Sequence, residues 1–192
     1  MPNLIKDIKN TMVKKGISEE IINKFDFSEK DYNQPERILT LINQMDMLLS
    51  KEQCLSIMEE QGCCTTGKPA KAHSDFGKKY AKKTVEERIQ LLDKLETPHK
   101  CPCKLNEDGT LSVFWETGNE GDYKCVCGFM KKLSHPVNIN VSKTFCGCCG
   151  GHVRKNLQRS LGVKLQLNKI VSSAISSKGK KRCEFIFKIN SK

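Results

Sequence analysis

The chain is predicted to be an α+β protein: N-terminal helices followed by an antiparallel sheet with a packed helix and a C-terminal β-hairpin. Three observations carry this expectation. Apolar residues recur at helical spacing through the first half of the 192 residues, strict apolar–polar alternation begins only after Pro98 and Pro102, and the sequence closes with two alternating runs around a turn signal. The change of composition at the two prolines divides a helical N-terminal portion, 1–97, from a cysteine-rich α+β portion, 98–192.

In the first portion, Leu4, Ile5, Ile8, Met12 and Val13 lie on one helical stripe, and Gly16 supplies a C-terminal stop. Ser18 can cap a short second helix, with Glu19 and Glu20 at its favoured end. Pro35 suits the first turn of a third helix bearing Ile38, Leu39, Leu41, Ile42, Met45, Leu48 and Leu49. Ser50 with Gln53 forms a capping box for a fourth helix, with Cys54, Leu55 and Met58, that stops near Gly62. Thr84 with Glu87 repeats the device for a helix carrying Val85, Ile89, Leu92 and Leu95.

In the second portion, Asn106 to Gly109 is a turn signal ahead of the alternating Leu111, Val113 and Trp115. Gly118 to Asp122 makes another turn, and Tyr123 to Phe129 is predicted as a strand. Val153, Leu157 and Leu161 mark a helix ending at Gly162. Val163, Leu165 and Leu167 then pair, across a turn at Ser176 to Lys181, with Cys183, Phe185, Phe187 and Ile189. This phase places Cys183 with the core side chains of its strand.

Composition limits the function classes. No apolar run is long enough to span a bilayer, and the start of the chain lacks the apolar core of a secretory signal. A cytoplasmic setting, where thiols stay reduced, is therefore expected. The net charge of +11 invites a nucleic-acid reading, but lysine and arginine are dispersed among acids and aromatic residues make up only 6%, which leaves no stacking platform. A small-molecule ligand is the expected partner, with no membrane partner, and a homodimer is compatible with the pattern.

The chemistry is concentrated in cysteine. Seven of the eleven cysteines fall in Cys101-Pro-Cys103, Cys125-Val-Cys127 and Cys146-Gly-Cys148-Cys149. An odd number of cysteines suits metal ligation or thiol chemistry better than a closed disulfide framework. On an extended strand the sulfurs of a C-x-C pair point to opposite faces, so shared ligation needs a bend between them, which Pro102 and Gly147 allow, as does Gly128 just beyond the middle pair. Zinc on Cys125, Cys127, Cys146 and Cys148 is the leading expectation, an iron–sulfur cluster the alternative. Cys101, Cys103, Cys149 and His152 stand in reserve, and Cys63-Cys64 is either a second thiol site or the plain end of a helix. A thiolate at the start of the helix with His152 as its base would be a nucleophile. His73, His99 and His135 are expected to be solvated.

Tyr123-Lys124-Cys125-Val126-Cys127-Gly128, then Thr144-Phe145-Cys146-Gly147-Cys148-Cys149-Gly150-Gly151-His152, Leu161-Gly162-Val163-Lys164-Leu165, and Gly179 to Phe187 follow one another in an order that resembles an uncharacterised cysteine-rich bacterial family. The C-terminal end also looks like vinyl-reductase-type small-ligand-binding domains and aminothiazoline-carboxylate hydrolase-like proteins. The resemblance implies an antiparallel sheet and helices around a pocket. Some vinyl-reductase-type sensor domains hold zinc with a cysteine of the closing strand, an acid and a cysteine of the strand before it, and a cysteine beside the helix. Cys183 and Cys149 match the first and last of these, whereas Ser172, Ser173 and Ile175 stand where the acid and second cysteine belong. Two functions follow: a metal-binding, sensor-like small-ligand module, or a thiol- or metal-dependent hydrolase of a small sulfur-containing substrate.

Overall fold

A computed structural model describes residues 3–28, 34–62, 66–95, 101–130 and 140–190. Its elements are helices α1 (Leu4–Lys14), α2 (Glu19–Ile22), α3 (Pro35–Leu48), α4 (Lys51–Met58), α5 (Lys68–Lys79), α6 (Val85–Leu91) and α7 (Gly147–Leu161), and strands β1 (Cys103–Leu105), β2 (Leu111–Trp115), β3 (Gly118–Asn119), β4 (Asp122–Tyr123), β5 (Lys164–Ser172) and β6 (Cys183–Asn190). The α+β class and the C-terminal hairpin are as expected.

The main sheet is antiparallel with the order β1-β2-β6-β5; β3 and β4 form a separate small hairpin. Period-2 alternation gives the sheet one buried face. Leu111, Val113, Trp115, Leu165, Leu167, Phe185 and Phe187 are buried on it, whereas Lys164, Gln166 and Lys188 face solvent. A register shift between Leu167 and Lys169 explains why the next inward residue of β5 is Ile170 and not residue 169.

Both capping boxes form, Ser50 with Gln53 and Thr84 with Glu87. Gly162 adopts a left-handed φ of 72° after α7. One expectation is corrected, and one helix appears that was not expected. Tyr123 to Phe129 does not continue as a strand: only Asp122–Tyr123 pairs, and residues 124–127 carry no regular structure. Lys68–Lys79, which has few apolar residues and contains Gly77, is a helix that hydrophobic periodicity did not single out.

Helix α7 lies between the sheet and the N-terminal helices, and its glycines set how closely. A Cβ at Gly151 would stand 1.9 Å from the carbonyl oxygen of Glu59, one at Gly147 2.6 Å from Met58 Cβ, and one at Gly150 2.8 Å from Leu167. On the same principle Gly77 of α5 crosses α7 at Arg159, where a Cβ would be 2.0 Å from that residue's carbonyl oxygen. Buried polar bonds fix these crossings. Glu59 accepts from Leu167 N (2.9 Å) and pairs with Arg154 (3.3 Å), while His73 Nδ1 meets Ser160 Oγ at 2.7 Å. One apolar cluster runs from Ile5, Ile8 and Ile42 through Met58 to Phe145, Leu157 and Phe185, joining the two compositional portions.

Candidate functional site

Five sulfurs converge at the N-terminal end of α7, brought there by three separate pieces of chain. Cys146 closes the 3₁₀ turn Lys143–Cys146 and Cys149 lies in the first turn of α7, so the two share a side of the helix three residues apart. Cys125 and Cys127 come from the irregular segment after β4. Cys183 opens β6 opposite Trp115. Cys146 is in electrostatic reach of Cys183, Cys125 and Cys127, and Cys149 of Cys146, Cys127, Cys125 and Cys183.

The turn after β5 completes the enclosure. Ala174 N–H donates to Cys183 Sγ at 3.4 Å, and the fully buried Ser173 hydroxyl bonds Cys146. Burial first, and the neighbouring sulfurs with it, push the thiols of Cys146 and Cys149 well above their ordinary range, against the Ser173 hydrogen bond at Cys146; burial raises Cys183 too, against the Ala174 hydrogen bond. Cys149 keeps some solvent contact although protein surrounds it. The thiols therefore stay protonated, because their thiolates would be buried and would repel one another. They make inactive nucleophiles, but a dication that displaces the protons turns the repulsion into ligation.

Trp115, the single tryptophan of the chain, stands opposite Cys183 in the register of β2 and β6. Its ring lies 5.3 Å from that of His152, centroid to centroid. Asn156 Nδ2 meets His152 Nε2 at 2.9 Å, one helical turn on. That orienting group was missed in the sequence because asparagine four residues after a histidine is unremarkable until the helix is known.

Of the expected ligands, Cys125, Cys127 and Cys146 come together. Cys148 lies apart: its Sγ donates to Gln61 O at 3.6 Å, on the side of α7 that faces the N-terminal helices. Cys149, held in reserve, occupies the nest in its place, and Cys183, expected from its strand phase to pack and from the resemblance to match a zinc-binding cysteine, borders it. Cys101 and Cys103 make a second thiol pair, with Cys103 Sγ donating to Cys101 O at 3.2 Å and burial raising Cys101 to about 12. Among the described residues, no three His, Cys, Asp or Glu side chains are already gathered closely enough to hold an ion.

His73 corrects an expectation outright. It is buried inside α5 on Ser160, and desolvation, helped by the charges of His152 and Arg159, lowers it to about 4. Cys63, Cys64, His99 and His135 lie outside the described residues. Among those described, no helix is long and apolar enough to cross a membrane.

No family model matches the sequence, and no curated protein matches it either. Among solved structures the chain is similar to an H-NOX protein from S. oneidensis in the Fe(II)NO ligation state, at 9% identity and a TM-score of 0.39 with both chains covered in full. It is similar also to a mutant H-NOX protein from K. algicida in the unliganded Fe(II) state, at 11% identity and a TM-score of 0.39, over 100% of this chain and 97% of that one.

Proposed function

We propose that the protein is a cytoplasmic, sensor-like small-ligand module built around a thiolate metal site, with zinc the first candidate and an iron–sulfur cluster the alternative. Cys125, Cys127 and Cys146 supply three ligands and Cys149 or Cys183 the fourth. The observation that carries this reading is the convergence of five sulfurs from the 124–127 segment, the start of α7 and the start of β6. Zinc is commonly held by four thiolates at Zn–S distances of about 2.3 Å, and no three such side chains among the described residues are already gathered to hold an ion, so ligation must draw the segment onto the helix. Within that segment Lys124 N–H is tied to Thr117 O at 2.6 Å, while residues 124–127 belong to no strand.

The test is metal content by mass spectrometry after anaerobic purification, with Trp115 fluorescence followed during chelation. One zinc, or one cluster, per chain is expected, lost in Cys125→Ser. Protein free of stoichiometric metal would overturn the proposal.

The hydrolase reading has one observation in its favour, the Asn156 amide that orients His152 two turns from Cys146 and one from Cys149. It requires a reactive thiolate. Slow alkylation of every native thiol removes it; one fast thiol, assigned by mass spectrometry to Cys149, supports it over a purely structural site.

A further inference from the structure

The opposite end of α7 carries a different feature. A cleft of about 670 Å³ opens between the C-terminal ends of α5 and α7 and the start of α6, within the span of about 300–1,000 Å³ usual for small-ligand sites. Lys78, Lys83, Arg88 and Arg159 line it together with Ala81, Val85, Leu161 and Val163, and none of the lining residues is an acid.

The four cations are not equivalent. Lys83 pairs with Glu87 at 2.8 Å. Arg88 is spent on the backbone, donating from Nη1 to Leu161 O (2.7 Å), from Nη2 to Ala81 O (2.6 Å) and from Nε to Lys83 O (3.1 Å). It closes the end of α7 and keeps its charge in the wall with no carboxylate against it. Among the described residues, Arg159 bonds a neutral amide oxygen, Asn156 Oδ1, at 2.8 Å. Lys78 is exposed, and the acid one turn before it, Asp75, is engaged at 2.5 Å by Lys71.

Lys78, Arg159 and the backbone-tied Arg88 over apolar Val85, Leu161 and Val163 form an amphipathic receptor for negative charge. Both arginines complement the dipole at the C-terminal end of α7: Arg88 touches its last carbonyl, and Arg159, in the last turn, bonds no backbone carbonyl among the described residues. We propose that this cleft binds a small organic anion, its carboxylate or phosphate held by Lys78 and Arg159 and its apolar body laid along Val85, Leu161 and Val163. This gives the small-ligand half of the proposed function a place, and it rests on that half alone. The thiol nest lies at the far end of a helix of 15 residues, roughly 22 Å away.

The experiment titrates the full-length, as-purified protein with hexanoate, phenyl phosphate, inorganic phosphate and uncharged hexanamide, following backbone amide signals by NMR at low salt. Hexanoate or phenyl phosphate should shift Gly77, Gly162 and Val163 saturably with a Kd of about 1 mM or tighter, and hexanamide should bind at least about tenfold more weakly. The tighter of the two anions identifies the head group. Lys78→Gln with Arg159→Gln should weaken the anion by about tenfold or more while metal content and melting temperature stay unchanged, so failure here is separable from failure of the thiol site. Shifts that sodium chloride reproduces, or unchanged affinity in the double variant, would overturn the proposal. Inorganic phosphate binding as tightly as phenyl phosphate would overturn the apolar half of it.

Discussion

The two ends of α7 show how one helix serves two kinds of chemistry. At its N-terminal end, glycines and cysteines replace larger side chains, so the Glu59 backbone and the sheet close directly onto the helix. Thiols held there stay protonated and soft. At its C-terminal end, Arg159, Leu161 and the left-handed Gly162 leave the surface open, and Arg88 ties the last carbonyl to α6. Removing Cβ atoms at one end produces an enclosure suited to soft ligands, and placing long cations at the other produces a hydrated cleft suited to anions.

Closing the N-terminal end depends most on Gly151. Gly151→Ala places a methyl 1.9 Å from a backbone oxygen that no side-chain rotation can move. It should cost roughly 4 kcal/mol or more, or abolish soluble folding, by urea denaturation. Gly128→Ala, which meets nothing within 4 Å, should stay within about 0.5 kcal/mol of the parent. Comparable losses for both would mean that α7 is not packed as closely as described.

Next in size is the contrast between adjacent cysteines. Cys149→Ser should lower metal content and reduce stability by roughly 3 kcal/mol if Cys149 is the fourth ligand, an effect that chelation of the parent reproduces. Cys148→Ser should keep its metal, because Cys148 Sγ addresses Gln61 O instead. Metal lost from Cys148→Ser and kept in Cys149→Ser would restore the ligand set expected from the sequence.

That expectation shows where sequence reading reached its limit. The capping boxes, the helix stop at Gly162 and the closing hairpin were legible because each depends on neighbours within a few residues. The C-x-C pairs marked the right region for the same reason, density along the chain. What stayed hidden needed the third dimension: which of Cys148 and Cys149 faces inward depends on the rotation of α7, and that is set by Met58 and Glu59 far away in sequence. Helix α5 was hidden because it is held by Gly77, Phe76 and a buried His73, not by an apolar stripe.

His73 links the two ends through pH. Its ring titrates at about 4 in the folded protein against an ordinary 6.5, so between these values the unfolded chain binds more protons than the folded one. Stability contributed by the neutral ring is complete above pH 6.5 and falls as the pH drops towards 4, by roughly 3 kcal/mol in all. His73→Asn, which can still reach Ser160, should lose that slope in denaturation midpoints taken across the window. An unchanged slope would assign the acid sensitivity to other groups.

The smallest effect is the most local. Arg88→Lys replaces a fork that reaches three carbonyls with a single ammonium, at an expected cost of about 1–2 kcal/mol. Gly162→Ala should cost about 1 kcal/mol from its left-handed backbone, and more because the new methyl would stand 2.6 Å from Arg88 Nη1. If that contact is real, the two changes are coupled: with lysine at position 88 the guanidinium is gone, and Gly162→Ala should recover all but its backbone strain. A double-mutant cycle measured in urea reads the coupling directly. Strict additivity would mean that Arg88 does not cover the end of α7, and that the cleft is more open at its floor than described.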